Sequence, residues 1–302
     1  MLIQLPYYKK IIYFIFFIIS YSFCNDKHIS NWGFYSIDNN SLNITNDEII
    51  PIINQHIDYM NSLFGPVPKS FFKIIIKSDN VKYSNTFNWS LGITQGNKII
   101  IKDPSISHIK RERFYQVLRH ELNHIYLNRI SDKRSIPRWF KEGFCMNYAN
   151  ESNFKNRLIL ADKINNKEWF DLQYIDQKFY GSSKDQFNFA YAYSQVLVSN
   201  ILDIYGDQAI KDIIEYIKKD YTFDKAFNSS TLITITSYSQ QTYENIYSKY
   251  RWFNLIKFPN FLLVLAPLLL IIIFVTKKIR NQKIIKQWKI EEELEERELN
   301  ED

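Results

Sequence analysis

A chain of 302 residues with 46% hydrophobic content has the apolar material for one large domain or two small ones plus extra segments, which excludes disorder throughout. Its formal net charge is only +6, with 38 basic and 32 acidic side chains, and the part between the two apolar ends is close to balance, so no nucleic acid is expected as a partner.

At the N-terminus, Lys9 and Lys10 precede the apolar run Ile11 to Ile19 and the small residues Ser20 and Ser22. That order is a secretory signal over residues 1–22, cleaved after Ser22 or kept as an uncleaved anchor. Cys24 offers a lipid-attachment alternative, but the bulky Phe23 stands before it where a small residue is preferred. With Cys24 in or beside the signal, Cys145 is the one cysteine left, and no internal disulfide is possible. Asn43, Asn88, Asn150 and Asn228 open N-x-Ser/Thr sequons, which arise by chance in an Asn-rich chain.

Residues 31–104 alternate strand and helix signals. Phe34 to Ile37 is expected as a strand, and Thr45-Asn46-Asp47-Glu48 has the capping-box pattern that opens a helix ending at Gly65-Pro66. Phe71 to Lys77 and Lys98 to Lys102 are β-branched and aromatic enough for two more strands, with a loop from Asn80 to Asn97 between them. From Pro104 the pattern turns helical: Ile109 to Ile130, a helix with Pro137 in its first turn, then Gln186 to Tyr205, Gln208 to Lys218 and Ser239 to Tyr250. The expected class is α+β: a small mixed sheet with an active-site helix, followed by a mainly helical subdomain.

Near the C-terminus, Phe261 to Thr276 is apolar on every face and gives about 24 Å of helix, which Leu255 to Phe258 extends toward the roughly 30 Å of a bilayer core. A transmembrane helix over 255–276 is expected. Lys277, Lys278, Arg280, Lys283, Lys286 and Lys289 follow it, so the charged tail 277–302 is expected to be cytoplasmic and residues 25–254 to lie outside the cytoplasm. The acidic run Glu291 to Glu298 reads as a solvated helix.

The chemistry is concentrated in His120-Glu121-Leu122-Asn123-His124, an H-E-x-x-H pattern inside the helix whose residues Phe114, Val117, Leu118, Leu122 and Ile125 face a core. A spacing of four puts both imidazoles on one helical face, where they can share a single Zn²⁺, and Glu121 then lies beside the metal's open position. A third ligand is supplied by Glu142 in Pro137-Arg138-Trp139-Phe140-Lys141-Glu142-Gly143, on a helix folded back by the turn Ser131 to Ser135. Two imidazoles and one carboxylate leave the fourth zinc position to water, the arrangement of a catalytic site. Glu121 is the expected general base.

Through His120-Glu121-Leu122-Asn123-His124 and Trp139-Phe140-Lys141-Glu142-Gly143 the sequence resembles the gluzincin zinc metallopeptidases, especially their peptidase MA-like domains, over roughly Lys98 to Phe227. The resemblance implies hydrolysis of peptide or protein substrates with one catalytic Zn²⁺, an edge strand from Leu91 to Lys102 along the substrate cleft, and a tyrosine near the zinc that stabilises the oxyanion. Tyr191 is preferred for that role over Tyr193, and both also fit as core aromatics. The chain departs from the wider family in two respects. It has no G-x-M-E-N motif, which weakens an aminopeptidase reading, and no Asp one turn after Glu142 to support a ligand histidine, a task for which Asn147 is a partial substitute.

The remaining residues have plainer readings. His28, His56 and His108 are expected at the surface or in caps, Trp139 and Phe140 in the core, Gly143 in a close helix contact, and Cys145 as a small buried hydrophobe. The leading expectation is a membrane-anchored zinc metallopeptidase. Its rivals are a catalytically silent gluzincin-like binding module and a zinc-dependent sensor signalling through the charged tail. The intact Glu121 argues against a decayed site.

Overall fold

The computed structural model of the chain describes residues 27–41, 43–78, 90–131, 136–151, 154–164, 172–179, 183–250 and 260–299. The expected signal over 1–22, Cys24 and Asn88 lie outside the described residues.

Five strands form one mixed sheet in the order β1-β2-β3-β5-β4. They are β1 (Lys27–Ser30), β2 (Gly33–Asn39), β3 (Phe72–Lys77), β4 (Gly92–Gln95) and β5 (Lys98–Lys102). The three inner strands run parallel, and β1 and β4 join the two edges antiparallel. Helix α1 (Asn46–Phe64) makes the crossover from β2 to β3, opened by Thr45 accepting from Glu48 N–H and closed by Gly65 at φ 75°. Both ends fall where the capping box and the Gly-Pro pair put them.

After α2 (Pro104–Ser107) comes α3 (Arg111–Ser131), which buries Phe114, Leu118, Leu122 and Ile125 together with Ile74, Ile76, Ile99 and Ile101 of the sheet. The far end of α3 is tied down by polar contacts. Arg129 donates to the carbonyls of Trp32 and Ser70 at 2.6 and 3.1 Å, and the Tyr126 hydroxyl donates to Phe64 O at 3.0 Å. The first contact anchors the helix to the sheet; the second satisfies an orphan carbonyl at the C-terminus of α1.

The helical part follows: α4 (Arg138–Tyr148), α5 (Phe154–Ile164), α6 (Leu172–Lys178), α7 (Lys184–Lys218), α8 (Phe223–Thr231) and α9 (Ile235–Tyr250). The two helices expected over 186–218 form the two arms of α7, separated as expected between Tyr205 and Gln208 by Gly206, whose φ of 75° and ψ of 176° are not helical. Short β1, α2, α5, α6 and α8 have no counterpart in the sequence reading, and β4 falls within the stretch Asn80 to Asn97 expected as a loop. Against α7 lies α4, with Gly143 at the crossing: a Cβ there would press into the Ser194 carbonyl and stand 2.6 Å from Val198. Trp139 and Phe140 are buried beside it, as expected.

Of the expected span 255–276, residues 255–259 lie outside the described residues, and the rest opens α10 (Asn260–Leu299). Among the described residues no helix is long and apolar enough to cross a membrane. The physical reason is length: the described apolar run from Phe261 to Thr276 is about 24 Å of helix, short of a bilayer core of roughly 30 Å, and residues 255–259, expected to extend it, are not among the described residues.

His56 corrects the sequence reading. His108 is exposed and closes α2 in the left-handed region, as a capping residue should, but His56 is 5% exposed, with Nε2 2.7 Å from Asn123 Oδ1. Asn123 in turn donates to Cys145 O, so one buried amide links α1, α3 and α4. Burial holds the His56 imidazole down at about 4, against an ordinary 6.5, with the Asn123 bond working the other way. In that window the unfolded chain takes up a proton that the folded chain refuses. The associated stability is complete above pH 6.5 and is lost as pH falls toward 4, by up to about 3 kcal/mol. Urea midpoints measured at about pH 7 and about pH 5 should therefore drop for the wild type, and His56→Gln, which keeps a hydrogen-bonding amide but does not titrate, should flatten that drop.

Candidate active site

The i, i+4 spacing on α3 brings His120 Nε2 and His124 Nε2 to 3.1 Å, with ring centroids 4.8 Å apart. Glu142 enters from α4. Its Oε2 lies 3.5 Å from His120 Nε2 and 3.4 Å from His124 Nε2, and the structure gives this buried oxygen no hydrogen-bond partner. Three donors at about 2.1 Å from a common point in tetrahedral geometry stand about 3.4 Å apart, so these spacings are those of a site that can hold one metal ion. Arg138 Nε, 3.4 Å from Glu142 Oε1, steadies the other oxygen.

Helix α4 is aimed by contacts at its ends. Asp176 of α6 accepts from the backbone N–H groups of Arg138 and Trp139, at 3.1 and 2.8 Å, in the manner of a capping carboxylate. Asn147 donates to Gly143 O and Gln195 O and accepts from Ser199, which binds α4 to α7. It does not reach a histidine, so the supporting role considered for it is not what it does.

The support comes from Glu151, which the sequence reading missed. Asn150 takes a left-handed φ of 55° just past the end of α4, and Glu151 N–H returns to Met146 O. This turn sends the carboxylate back under the site, where Oε1 lies 2.7 Å from His120 Nδ1 and Oε2 lies 2.6 Å from Arg113 Nη1. A carboxylate on Nδ1 fixes the ring and leaves Nε2 free to ligate.

The whole cluster favours positive charge. Burial alone would depress the His120 imidazole, but the carboxylates of Glu151, Glu142 and Glu121 outweigh it and hold it up at about 10. Burial pushes Glu142 and Glu151 upward, yet the histidines take Glu142 well below the usual carboxylate range, and His120 with Arg113 lowers Glu151. Glu121 is raised by burial.

Glu121 faces the edge strand. Thr94 of β4 donates to its Oε2 at 2.6 Å, and a Cβ on Gly92 would stand 2.8 Å from its Oε1, so glycine lets the strand pass this close. Tyr191, half-buried on α7, packs against Phe179 and Phe187, and burial, followed by the charge of the Glu142 carboxylate, pushes its pKa well up. Tyr193, two residues on, is 1% exposed and stacked on Phe189 in the core. The structure thus gathers His120, Glu121, His124, Glu142 and Tyr191, and leaves Tyr193 out. The Cys145 sulfur also lies within 4.8 Å of a nitrogen of each histidine. Burial, and then the carboxylates of Glu142, Glu121 and Glu151, raises its pKa far above the ordinary value, which keeps it a thiol.

Two solved structures resemble the chain weakly. One is an M1 zinc metallopeptidase mutant from Deinococcus radiodurans bound to a Tyr-Ser-Ala substrate, 14% identical, covering 71% of this chain and 47% of that one at a TM-score of 0.41. The other is a two-domain M1 zinc metallopeptidase mutant bound to L-tryptophan, 13% identical, covering 74% and 50% at 0.40. The chain spans about half the length of these structures. No curated protein sequence matches it. Residues 77–247, more than half of the chain and including the whole histidine and glutamate cluster, match the Peptidase MA superfamily, and the chain belongs to that superfamily.

Proposed function

We propose that the chain is a zinc-dependent peptidase in which His120, His124 and Glu142 hold one Zn²⁺, Glu121 is the general base and Tyr191 stabilises the oxyanion. The observation that carries this reading is Glu142 Oε2, buried without a hydrogen-bond partner and within 3.5 Å of both Nε2 atoms. A desolvated carboxylate oxygen so placed is costly unless a cation completes it. Bound there, zinc would polarise a substrate carbonyl and acidify a water molecule.

The side chains supply the rest. Glu121, raised by burial and oriented by Thr94, takes a proton from the attacking water and hands it to the leaving amine. Tyr191 keeps its proton well above neutrality and so remains a hydrogen-bond donor for a developing negative oxygen. Glu151 and Arg113 hold His120 in its ligating orientation.

Membrane attachment is part of the proposal. Along α10, Leu268 is 50% exposed, Phe274 67% and Val275 45%, on a helix with no packing partner for these faces among the described residues. An apolar surface of that kind is stable in lipid and not in water. The basic residues Lys277 to Lys289 that follow orient it with the tail in the cytoplasm and the active site outside. Cysteine-scanning labels on intact cells should react at residue 150 and not at residue 294. Labelling at 294 alone would invert the topology.

For the chemistry, Glu121→Gln is expected to keep one zinc per chain and to lose peptide hydrolysis by at least about a hundredfold, since the amide cannot accept the water's proton. Wild-type rates in that variant would remove the site from the reaction. Glu151→Gln keeps the hydrogen bond but not the charge on His120 Nδ1, and zinc affinity measured by chelator competition should fall about 10- to 100-fold.

A further inference from the structure

The cleft beside the site encloses about 560 Å³. His120, Glu121 and Tyr191 line it together with Gly92 of β4, and α5 and the start of α7 contribute Lys155 and Lys184. Its charged groups are unequal in what they already bind. Arg113 is committed to Glu151 at 2.6 Å, Glu151 also to His120, and Glu121 to Thr94. Lys155 and Lys184 are exposed to the cleft, and among the described residues neither has an ion-pair partner. Among the described residues of the cleft, Arg113, Lys155 and Lys184 stand against the carboxylates of Glu121 and Glu151, so the fixed charges leave a positive excess, and it lies on the two lysines that no carboxylate holds.

The position of Lys155 is unfavourable for the helix that carries it. Lys155 is the second residue of α5, whose first turn has no acidic residue; Lys184 is the first residue of α7, whose first turn also holds Asp185. Amide dipoles at a helix N-terminus favour anions and disfavour cations, so local stability does not account for Lys155, and the dipole of α5 adds to the positive potential in the cleft. Asn156, held by Gln195 at 2.5 Å, and Asn188 place side-chain amides on the same wall.

We propose that this part of the cleft receives a carboxylate of the peptide substrate, drawn by Lys155 and Lys184, so that the protein selects acidic peptides. The proposal rests on the peptidase reading above. The carboxylate is either an Asp or Glu side chain or the free C-terminus of the peptide.

The test uses the full chain in detergent and three matched synthetic peptides: one with a central Glu and an amidated C-terminus, its Gln isostere with an amidated C-terminus, and the Gln isostere with a free C-terminus. kcat/KM is measured for wild type, and binding of the same peptides is followed by fluorescence anisotropy on Glu121→Gln, which separates recognition from cleavage. We expect the Glu peptide, or the free-acid Gln peptide if the C-terminus is what is read, to exceed the amidated Gln peptide by at least about fivefold, a margin that shrinks with added salt. The ratio should vanish in Lys155→Ala/Lys184→Ala and turn in favour of a Lys peptide in Lys155→Glu/Lys184→Glu. Because each variant is judged by its own ratio between two peptides, reduced folding does not imitate the result. Equal treatment of all three peptides by wild type, or a ratio that survives charge reversal, overturns the proposal while leaving the peptidase reading intact. An acidic preference in binding with no peptide cleaved overturns the peptidase reading and supports the carboxylate subsite.

Discussion

Three carboxylates and two imidazoles, those of Glu121, Glu142, Glu151, His120 and His124, are packed into the angle between α3 and α4, the carboxylates of Glu121 and Glu142 each 5% exposed. Each carboxylate so desolvated is unfavourable by several kcal/mol unless it is paired. Glu151 is paired twice, to Arg113 and His120, and Glu121 accepts from Thr94. Glu142 keeps one oxygen without a hydrogen bond, aimed at the two ring nitrogens. The cluster is therefore most stable with a positive charge at that point: without a metal a proton on the imidazoles supplies it, which is why His120 is held up at about 10, and a metal ion would take the same place. The fold around the cluster works to hold the carboxylates in place.

Holding α4 is the larger part of that work. A helix of eleven residues has little stability of its own, and this one carries a buried charge on its inner face. Asp176 caps its N-terminus, Asn147 ties its last turn to Gln195 and Ser199, and Gly143 removes the side chain that would keep α7 at a distance. The last two also set the height of Tyr191, which sits one turn before Gln195 on α7 and lines the cleft with His120 and Glu121. Close helix packing and the geometry of the site are thus one constraint.

The sheet contributes a different control. Among the described residues β4 is an edge strand, paired with β5 alone, and Gly92 and Thr94 lie against Glu121. An extended chain laid along such an edge would have its backbone registered to the strand by hydrogen bonds, and its carbonyls would be carried past Glu121 at a fixed height. A side chain at position 92 would push the strand away from Glu121, so the glycine sets the distance between the edge strand and that carboxylate.

How much of this was legible in the sequence depends on how local each signal is. The two histidines and Glu121 follow from one helical period, and Glu142 from its place one turn into the next helix, because both are set by spacing within or between adjacent helices. Thr45 and Gly65, the ends of α1, are likewise fixed by chemistry a few residues long. Glu151 was not legible: it lies nine positions after Glu142, beyond the helix, and reaches His120 only through the left-handed turn at Asn150, a residue type that tolerates that conformation but does not announce it. His56 escaped for a related reason. Its partner Asn123 is 67 residues away in the chain, and a histidine reads as a surface group until the fold brings an amide to it. In both cases the missing information was a long-range polar contact made by a side chain inside an apolar setting, where satisfaction of the buried group, and not periodicity, decides the position. The same logic explains why Asn147, better placed in sequence to support a ligand, does not: Gly143 leaves α4 so near α7 that its amide is taken up by Gln195 and Ser199 before it can turn toward the histidines.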